Sequence, residues 1–539
     1  MSDFAAGANA APSFASAAAC REWLAGAPLT DAAQMVALLL REVTALNRAT
    51  LPAGERLEIL ELLRGPIHEC QDAFGRRFVG KPQPLADAER SAFDTSSALW
   101  HTLVTGYMRC AEACFAGDPQ VKSKTALVLE RALVALGAQQ LDTHRVNRAP
   151  GAEHWRLLHQ VFASAEQFGV ATQEVADAVH LGKLKGSPQA AYVEALLLGM
   201  SNLHECSQRQ IGWAARWARR WAPKIKMLAE APQLSSQSIP LCVDLASELA
   251  PGYRPFTGPG ARWLDTGELR HSIKKRLALL AQGEPPAKLN LGTDCPQPAC
   301  GELLTALYGR WCKGAAVRAA ERRPASGRCR FVAGVEAVHY YVAGRKPFKR
   351  IAPTDLRTLR REQEEIATFG RVATHRDEHF SEQAGYAVEE WQAMEEWHAI
   401  NTSSAGVRIA RPLVQPGARV GHHQLVAVTP PEAQDWLLGW VRWTLVSERL
   451  EAGISLFPGR PEAIAARGSG ISAANEPFRP VFVLPGIDAI GQPPSIVLPV
   501  GMFKTGRVLD TYSGRPGRLR VTRLLERGAD FERAVYEPA

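Results

Sequence analysis

From residue 18 to about 285, apolar positions recur every three to four residues, the spacing that gives a helix one apolar face, and alternating patterns are almost absent. Thr30-Asp31 supplies a cap for a helix through Met35, Leu38, Leu39, Leu40 and Val43. A run from Glu55 repeats Leu57, Ile59, Leu60, Leu62 and Leu63. Further amphipathic runs at 88–116, 122–142, 152–168, 189–230 and 264–282, separated by short Gly, Pro and Asp turns, predict an α-helical bundle or solenoid. Ile67-His68-Glu69-Cys70 and Leu203-His204-Glu205-Cys206 echo one another late in apolar helices, but no fixed period defines a repeat family.

Gly, Pro and Asn dominate 283–299, a linker composition, and beyond it the period changes. Phe331–Val342, Val407–Val428, Gly439–Leu445 and Gly453–Phe457 read as strands, with turns at Gly334, Gly344, Gly417 and Gly421. Residues 351–398 interrupt them with charged, helix-like sequence carrying Glu362, Glu364, Glu365, Glu389, Glu390, Glu395 and Glu396, and read as an insertion. Short strand candidates follow at Val481–Leu484, Ser495–Pro499, Arg507–Asp510 and Arg518–Leu525. The pattern is that of an α+β multidomain chain: a helical domain over 18–285, a β domain over 300–465 with its helical insertion, and a C-terminal β module over 475–539.

The chain has 539 residues, 46% of them apolar, enough for several cores. No run of 18 apolar residues predicts a membrane span, and the Ala-rich start lacks the basic and hydrophobic regions of a signal peptide, so a cytoplasmic location is expected. Ten cysteines without a paired Cys-x-x-Cys set do not make a disulfide scaffold, and Cys110 with Cys114 fits helix packing rather than zinc. The formal net charge is +8, and the segment 301–350 alone carries that excess, with 11 Lys/Arg against three acids. Such a concentration suits an anionic ligand.

Within that segment Arg318 and Arg322 have an Arg-x-x-x-Arg spacing, followed by Arg323, Arg328 and Arg330. Guanidinium groups pair bidentately with phosphate, hydrogen-bond the O6/N7 edge of guanine and stack on its face. Downstream, Asn401-x-Ser403-x-x-Gly406 has turn chemistry: a carboxamide and a hydroxyl to hold backbone or ligand, and a glycine expected to adopt positive φ as the chain re-enters a strand.

These two motifs together resemble the PilZ domain, whose signature is Arg-x-x-x-Arg before the first strand and Asp/Asn-x-Ser-x-x-Gly at a later strand end. Gly439-Trp440-Val441-Arg442-Trp443 and Gly453-Ile454-Ser455-Leu456 are similar to later strands of that family. The resemblance covers about 310–460 and implies a PilZ-like six-stranded antiparallel β-barrel that binds cyclic di-GMP. Arg318, Arg322, Arg323 and Arg328 would clamp phosphates and guanine faces, with Asn401, Ser403 and Gly406 closing the other side. The 79 positions between Arg322 and Asn401 exceed the family's usual few tens, which requires 351–398 to be inserted. Arg357-x-x-x-Arg361 is an alternative arginine pair, in an acidic, helix-like context that favours surface ion pairing.

Other motifs fit structural roles better. Gly75-Arg-Arg-Phe-Val-Gly80-Lys81 departs from the P-loop at Pro82, where Ser or Thr would bind magnesium. His375-x-x-Glu378-His379 spells an inverted zinc-protease pattern without an apolar helix to bury it. Trp213, Trp217 and Trp221 make a helical stripe bordered by Arg216, Arg219, Arg220, Lys224 and Lys226, more consistent with a core face than a docking face. The expectation is a non-enzymatic receptor with cyclic di-GMP as ligand, no cofactor or metal, no nucleic acid, and an unidentified protein effector engaged through a change of domain arrangement. The rival is a scaffold that uses the helical half, its barrel degenerate.

Overall fold

The computed structural model describes residues 11–182, 185–230, 232, 241–254, 256, 258–314, 322–348, 394–431, 433–469 and 476–539. The chain divides into two compact units, up to residue 318 and from 319 onward, with Pro82–Pro84 counted with the second.

The first unit is built on helices α1 (Ala17–Ala25), α2 (Ala32–Arg48), α3 (Ala53–Phe74), α4 (Asp87–Phe115), α5 (Thr125–Arg145), α6 (Ala152–Gln167), α7 (Pro188–Met200), α8 (Gln208–Trp221), α9 (Gly267–Ala281) and α10 (Ala299–Cys312). Asp31 caps α2 by accepting from the amides of Ala33 and Gln34, which leaves Met35, Leu39 and Val43 facing inward. The expected run 189–230 is two helices broken at Ser201–Ser207, because Asn202 takes a left-handed conformation and Ser207 starts α8 with a capping box. Five short strands went unforeseen. β1 (Val175–Ala176) pairs with β2 (Lys185–Gly186), and β5 (Ala261–Asp265) lies between β3 (Lys226–Leu228) and β4 (Leu241–Asp244). At two to five residues they are too short to show a period. Helix α10 packs in this unit, not with the β domain: Trp311 is fully buried, donates to Leu197 O at 2.9 Å and meets Trp221 edge-on at 6.1 Å.

One charged network, joined through Asp177, lies among these helices. Arg64 makes a bidentate pair with Asp177 at 2.7 and 2.5 Å, both side chains buried. Arg131 bridges Glu61, Glu130 and Asp177. Together they tie α3 and α5 to the β1–β2 hairpin.

In the second unit, β6 (Arg323–Pro324) and β7 (Arg328–Ala333) run end to end along β8 (Glu395–Ser403). The ring continues through β9 (Gly406–Pro412), β10 (Leu425–Thr429), β11 (Leu437–Val446) and β12 (Arg449–Leu456) in the order β8-β7-β10-β11-β12-β9. β9 pairs back onto β8, so the sheet closes as a six-stranded antiparallel barrel around Cys329, Phe331, Trp397, Ile409, Val426, Val441, Leu450 and Ile454.

Val407–Val428 is not one strand but β9 and β10 with 413–424 between them, and two further assignments differ from the pattern. Phe331–Val342 is strand only to Ala333. Gly334 turns the chain at φ +93°, and α11 (Val335–Val342) follows, its helical spacing placing Ala337, Val338 and Tyr341 on the buried side and Glu336 in solvent. Residues 395–398, assigned to the insertion, open β8: Glu395, Trp397 and Ala399 point inward while Glu396 and His398 face solvent. Two adjacent acids, Glu395 buried and Glu396 exposed, masked that alternation. Residues 351–393 lie outside the described residues.

A second closed barrel has the order β13-β14-β15-β18-β17-β16, with β13 (Glu462–Gly468), β14 (Arg479–Leu484), β15 (Ser495–Pro499), β16 (Val508–Tyr512), β17 (Pro516–Arg527) and β18 (Phe531–Pro538). A shared apolar layer joins the two barrels. Val338 and Tyr341 of α11, Leu425 and Leu438 of the first barrel, and Phe482, Val497 and Phe531 of the second belong to it.

Candidate functional site

The two sequence motifs meet through the register of one strand pair. Arg323 lies opposite Thr402 and Pro324 opposite Asn401, so the arginine segment runs beside the Asn-x-Ser turn despite its distance in sequence. Ala325 N donates to Ile400 O at 3.1 Å and Ala399 N to Gly327 O at 3.0 Å, fixing this edge. Arg322 and Arg323 are exposed, and among the described residues neither pairs with a carboxylate. Arg318, Arg357, Arg361, His375, Glu378 and His379 lie outside the described residues. Arg328 faces His398, three residues or about 10 Å along β8 from Asn401, and its Nη1 pairs with Glu396 at 3.1 Å.

The turn is a two-residue hairpin in which Ser403 pairs with Gly406 and Ser404-Ala405 forms the exposed tip. Ser403 Oγ donates to Gly406 O at 3.3 Å, and Leu456 N donates to Ala405 O at 3.0 Å, tying the tip to β12. Asn401 and Ser403 are half-buried, and the Asn401 carboxamide has no hydrogen-bond partner among the described residues. Gly406 is not in a positive-φ conformation. A Cβ there would stand 2.4 Å from the carbonyl oxygen of Ile454, so glycine is needed because the neighbouring strand comes too close.

Residues opposite one another share a face of the sheet, so registers extend the site across four strands. One row runs Asn401, Arg408, Gly453, Trp443, and the next Ser403, Gly406, Ser455, Trp440. Both lie on the outside of the barrel, since Val407, Ile409 and Ile454 between them belong to its core. A Cβ at Gly453 would be 2.1 Å from Trp443 Nε1, so its absence lets the indole cover the β12 backbone. The Arg408 guanidinium sits 5.6 Å from the Trp443 ring centroid and is held by Glu451, with Nε to Oε2 at 2.9 Å. The result is a strip floored by glycines, with polar groups at one end and indoles at the other. Arg408 and Trp443 were not identifiable as site residues from the sequence, because only the strand register brings them beside Asn401.

Beneath the strip, Arg411 and Glu395 form an ion pair inside the barrel, Nε to Oε2 at 3.3 Å, with exposures of 1% and 8%. Trp397 Nε1 donates to Glu395 Oε2 at 2.9 Å, and the Arg411 guanidinium lies 5.3 Å from that indole's centroid. Arg411 also donates to the carbonyls of Gln415 and Ala418, pinning the loop after β9.

The alternative motifs stay structural. Trp213, Trp217 and Trp221 are buried, with Trp213 Nε1 bound to Asp294 at 2.9 Å and Trp217 Nε1 to Leu291 O at 2.8 Å. Gly75–Arg77 is a 3-10 turn continuing helix α3, not a loop after a strand. Cys110 and Cys114 are buried and free, and no metal-ligating cluster exists among the described residues.

A closed six-stranded barrel with an Asn-x-Ser-x-x-Gly hairpin beside its arginine-bearing first strand has the features of a PilZ domain. Residues 241–410 match the family model described as the middle PilZ domain of the cyclic-di-GMP receptor FimW. Residues 18–233 match that receptor's N-terminal domain, and 464–539 its C-terminal β-barrel domain. A Pseudomonas aeruginosa protein named cyclic-di-GMP receptor FimW is 22% identical over 556 aligned positions, covering 96% of this chain and 90% of its own. No helix among the described residues is long and apolar enough to cross a membrane.

Proposed function

We propose that this chain is a cytoplasmic receptor for cyclic di-GMP that recognises its ligand without catalysis, changes its domain arrangement on binding, and signals to a protein partner. The observation that carries the reading is the β6–β8 register, which sets Arg323 against Thr402 and Pro324 against Asn401. Arg322 and Arg323, with Arg318 by family resemblance, supply phosphate and guanine contacts. Asn401 and Ser403 hydrogen-bond the second side, and Gly406 keeps the hairpin against β12. Arg408, 5.6 Å from the centroid of the buried Trp443 ring, adds a guanidinium to the same surface. Arg328, already paired with Glu396, contributes least. The similarity to a protein named as a receptor for this dinucleotide supports the assignment. The scaffold reading loses its docking face, since the Trp213–Trp221 stripe is buried.

The test is calorimetric titration of the full chain with cyclic di-GMP, with GTP as control. Selective micromolar binding is expected, weakened at least tenfold in Arg322→Ala and in Arg323→Ala, not restored by Lys at either position, and falling as salt rises. Absence of binding, or binding indifferent to both arginines and to Asn401→Ala, refutes the assignment of this surface.

A further inference from the structure

The helical unit contains a cavity of about 660 Å³ bounded by α3, α4, α5, α7, α8 and the segment Ala178–His180. Its volume is in the range of small-molecule sites. Three helix-interior glycines from three different helices line it: Gly65, Gly137 and Gly212. A Cβ on any of them would meet nothing within 4 Å, and none has positive φ. Neither packing nor backbone conformation therefore calls for glycine, although each costs about 1 kcal/mol relative to alanine in a helix. Their common effect is to keep the space open.

The hydrogen-bonding capacity left over in this cavity is mostly that of acceptors. Gln71 is 3% exposed, and its Nε2 donates to Ser96 O at 2.9 Å, which fixes the amide orientation and leaves Oε1 buried without a partner. His68 Nε2 is also buried without a partner, its ring edge-on to Trp100 at 4.9 Å, and burial, reinforced by Arg64, keeps the imidazole neutral with a pKa near 3. On the same face of α3, Glu69 and Asp72 are exposed at the rim and form no ion pair among the described residues. The arginines of the lining are already committed: Arg145 to Asp142 at 3.2 Å, Arg216 to Asp294 at 2.5 Å and Arg219 to Glu194 at 3.2 Å. An anion would find no unpaired cation there, whereas a cationic donor would find two carboxylates, an orphan carbonyl oxygen, an imidazole and an indole.

We propose that this cavity binds an alkyl guanidinium or alkylammonium group, carried by a free amine or by an arginine or lysine side chain of a protein partner. The cationic head meets Glu69, Asp72 and Gln71 Oε1, and its apolar stem lies against Trp100, Leu141 and Leu198. The inference is independent of the dinucleotide assignment, which concerns the other unit.

The experiment is ligand-observed NMR and calorimetry on the full chain with agmatine, a blocked pentapeptide containing one arginine, and neutral butylurea. Saturable binding of a cationic probe at about 1 mM or tighter is expected, with butylurea at least tenfold weaker. Tighter binding of the peptide identifies a protein source, and tighter binding of agmatine a free amine. Glu69→Gln with Asp72→Asn, both at exposed positions, should weaken binding at least tenfold, and Gly212→Leu, which fills the cavity, should abolish it. Cyclic di-GMP titration and circular dichroism of the variants serve as controls for folding. Saturation by no cationic probe, equal binding of butylurea, or indifference to the carboxylate variants overturns the proposal.

Discussion

Replacing Arg411 by Met tests whether the ion pair inside the first barrel holds the strand that carries the hairpin. Arg411 is 1% exposed and Glu395 8%, so the substitution strands a carboxylate where water cannot solvate it. Breaking a buried pair by removing one partner typically costs about 3–5 kcal/mol. Glu395 keeps the Trp397 indole N–H at 2.9 Å and the Ala418 amide as donors, which places the expected loss at the lower end, about 3 kcal/mol. Gly417 belongs to the same arrangement, because a Cβ there would stand 2.5 Å from Glu395 Oε2. With two units in the chain, a global melting curve would blend transitions, so the assay is native-state hydrogen exchange of peptides covering 395–412. Exchange of the slowest amides should accelerate about 150-fold, equivalent to that 3 kcal/mol. Adding Glu395→Gln to Arg411→Met should recover at least half of the loss by removing the uncompensated charge. An acceleration below about fivefold, or a double variant no better than the single one, would refute the reasoning.

Gly406→Ala should accelerate native-state hydrogen exchange of peptides covering 395–412 and weaken cyclic di-GMP binding, because the methyl collides with Ile454 O, while Ser404→Ala at the exposed tip should leave both unchanged. His144 is buried with its Nε2 unpartnered, and burial first, then His204 and His154, lowers its pKa to about 3. A histidine whose folded pKa is depressed contributes stability that is complete above its unfolded pKa of about 6.5 and is lost as pH falls from there toward the folded value. Urea unfolding of the first unit should therefore weaken between pH 6.5 and 4, and His144→Gln should reduce the slope by about 1.4 kcal/mol per pH unit. Arg64→Met should destabilise the same unit by about 3 kcal/mol, the lower end for a broken buried pair, since Asp177 is completely buried but keeps Arg131 at 3.3 Å and the His180 amide at 3.0 Å, and Asp177→Asn in that background should restore part of it, both read from urea midpoints.

The long helices were legible because each repeats its apolar face over several turns and advertises its start, as Asp31 does for α2. The barrel was legible in part. β12 alternates apolar and polar residues along its length, but β8 begins with Glu395 and Glu396, one buried against Arg411 and one solvated, and two adjacent acids conceal the alternation. Helix α11 was read as strand because eight residues, with Glu336 and His339 among the apolar ones, are too few to show a helical period, and its burial between two barrels is a tertiary fact. The hairpin residues were visible as turn chemistry, yet the reason for Gly406 was not. Positive φ is the commoner reason for a glycine in a turn, while the approach of Ile454 O depends on a strand 48 positions away.

The same distinction explains how the site tolerates so long a separation between its two motifs. What brings Arg323 to Thr402 is not proximity in sequence but the shared use of β8: β6 and β7 lie on one of its edges and β9 on the other. Chain added between β7 and β8 does not alter that register as long as Arg328–Phe331 stays paired with Glu395–His398. Lengthening a connection costs only about 0.6 kcal/mol per doubling, small beside a core holding Phe331, Trp397 and the Arg411–Glu395 pair. The residues that determine whether the arginines face the Asn-Ser turn are therefore the buried members of β7 and β8, and not those of the segment that separates the motifs.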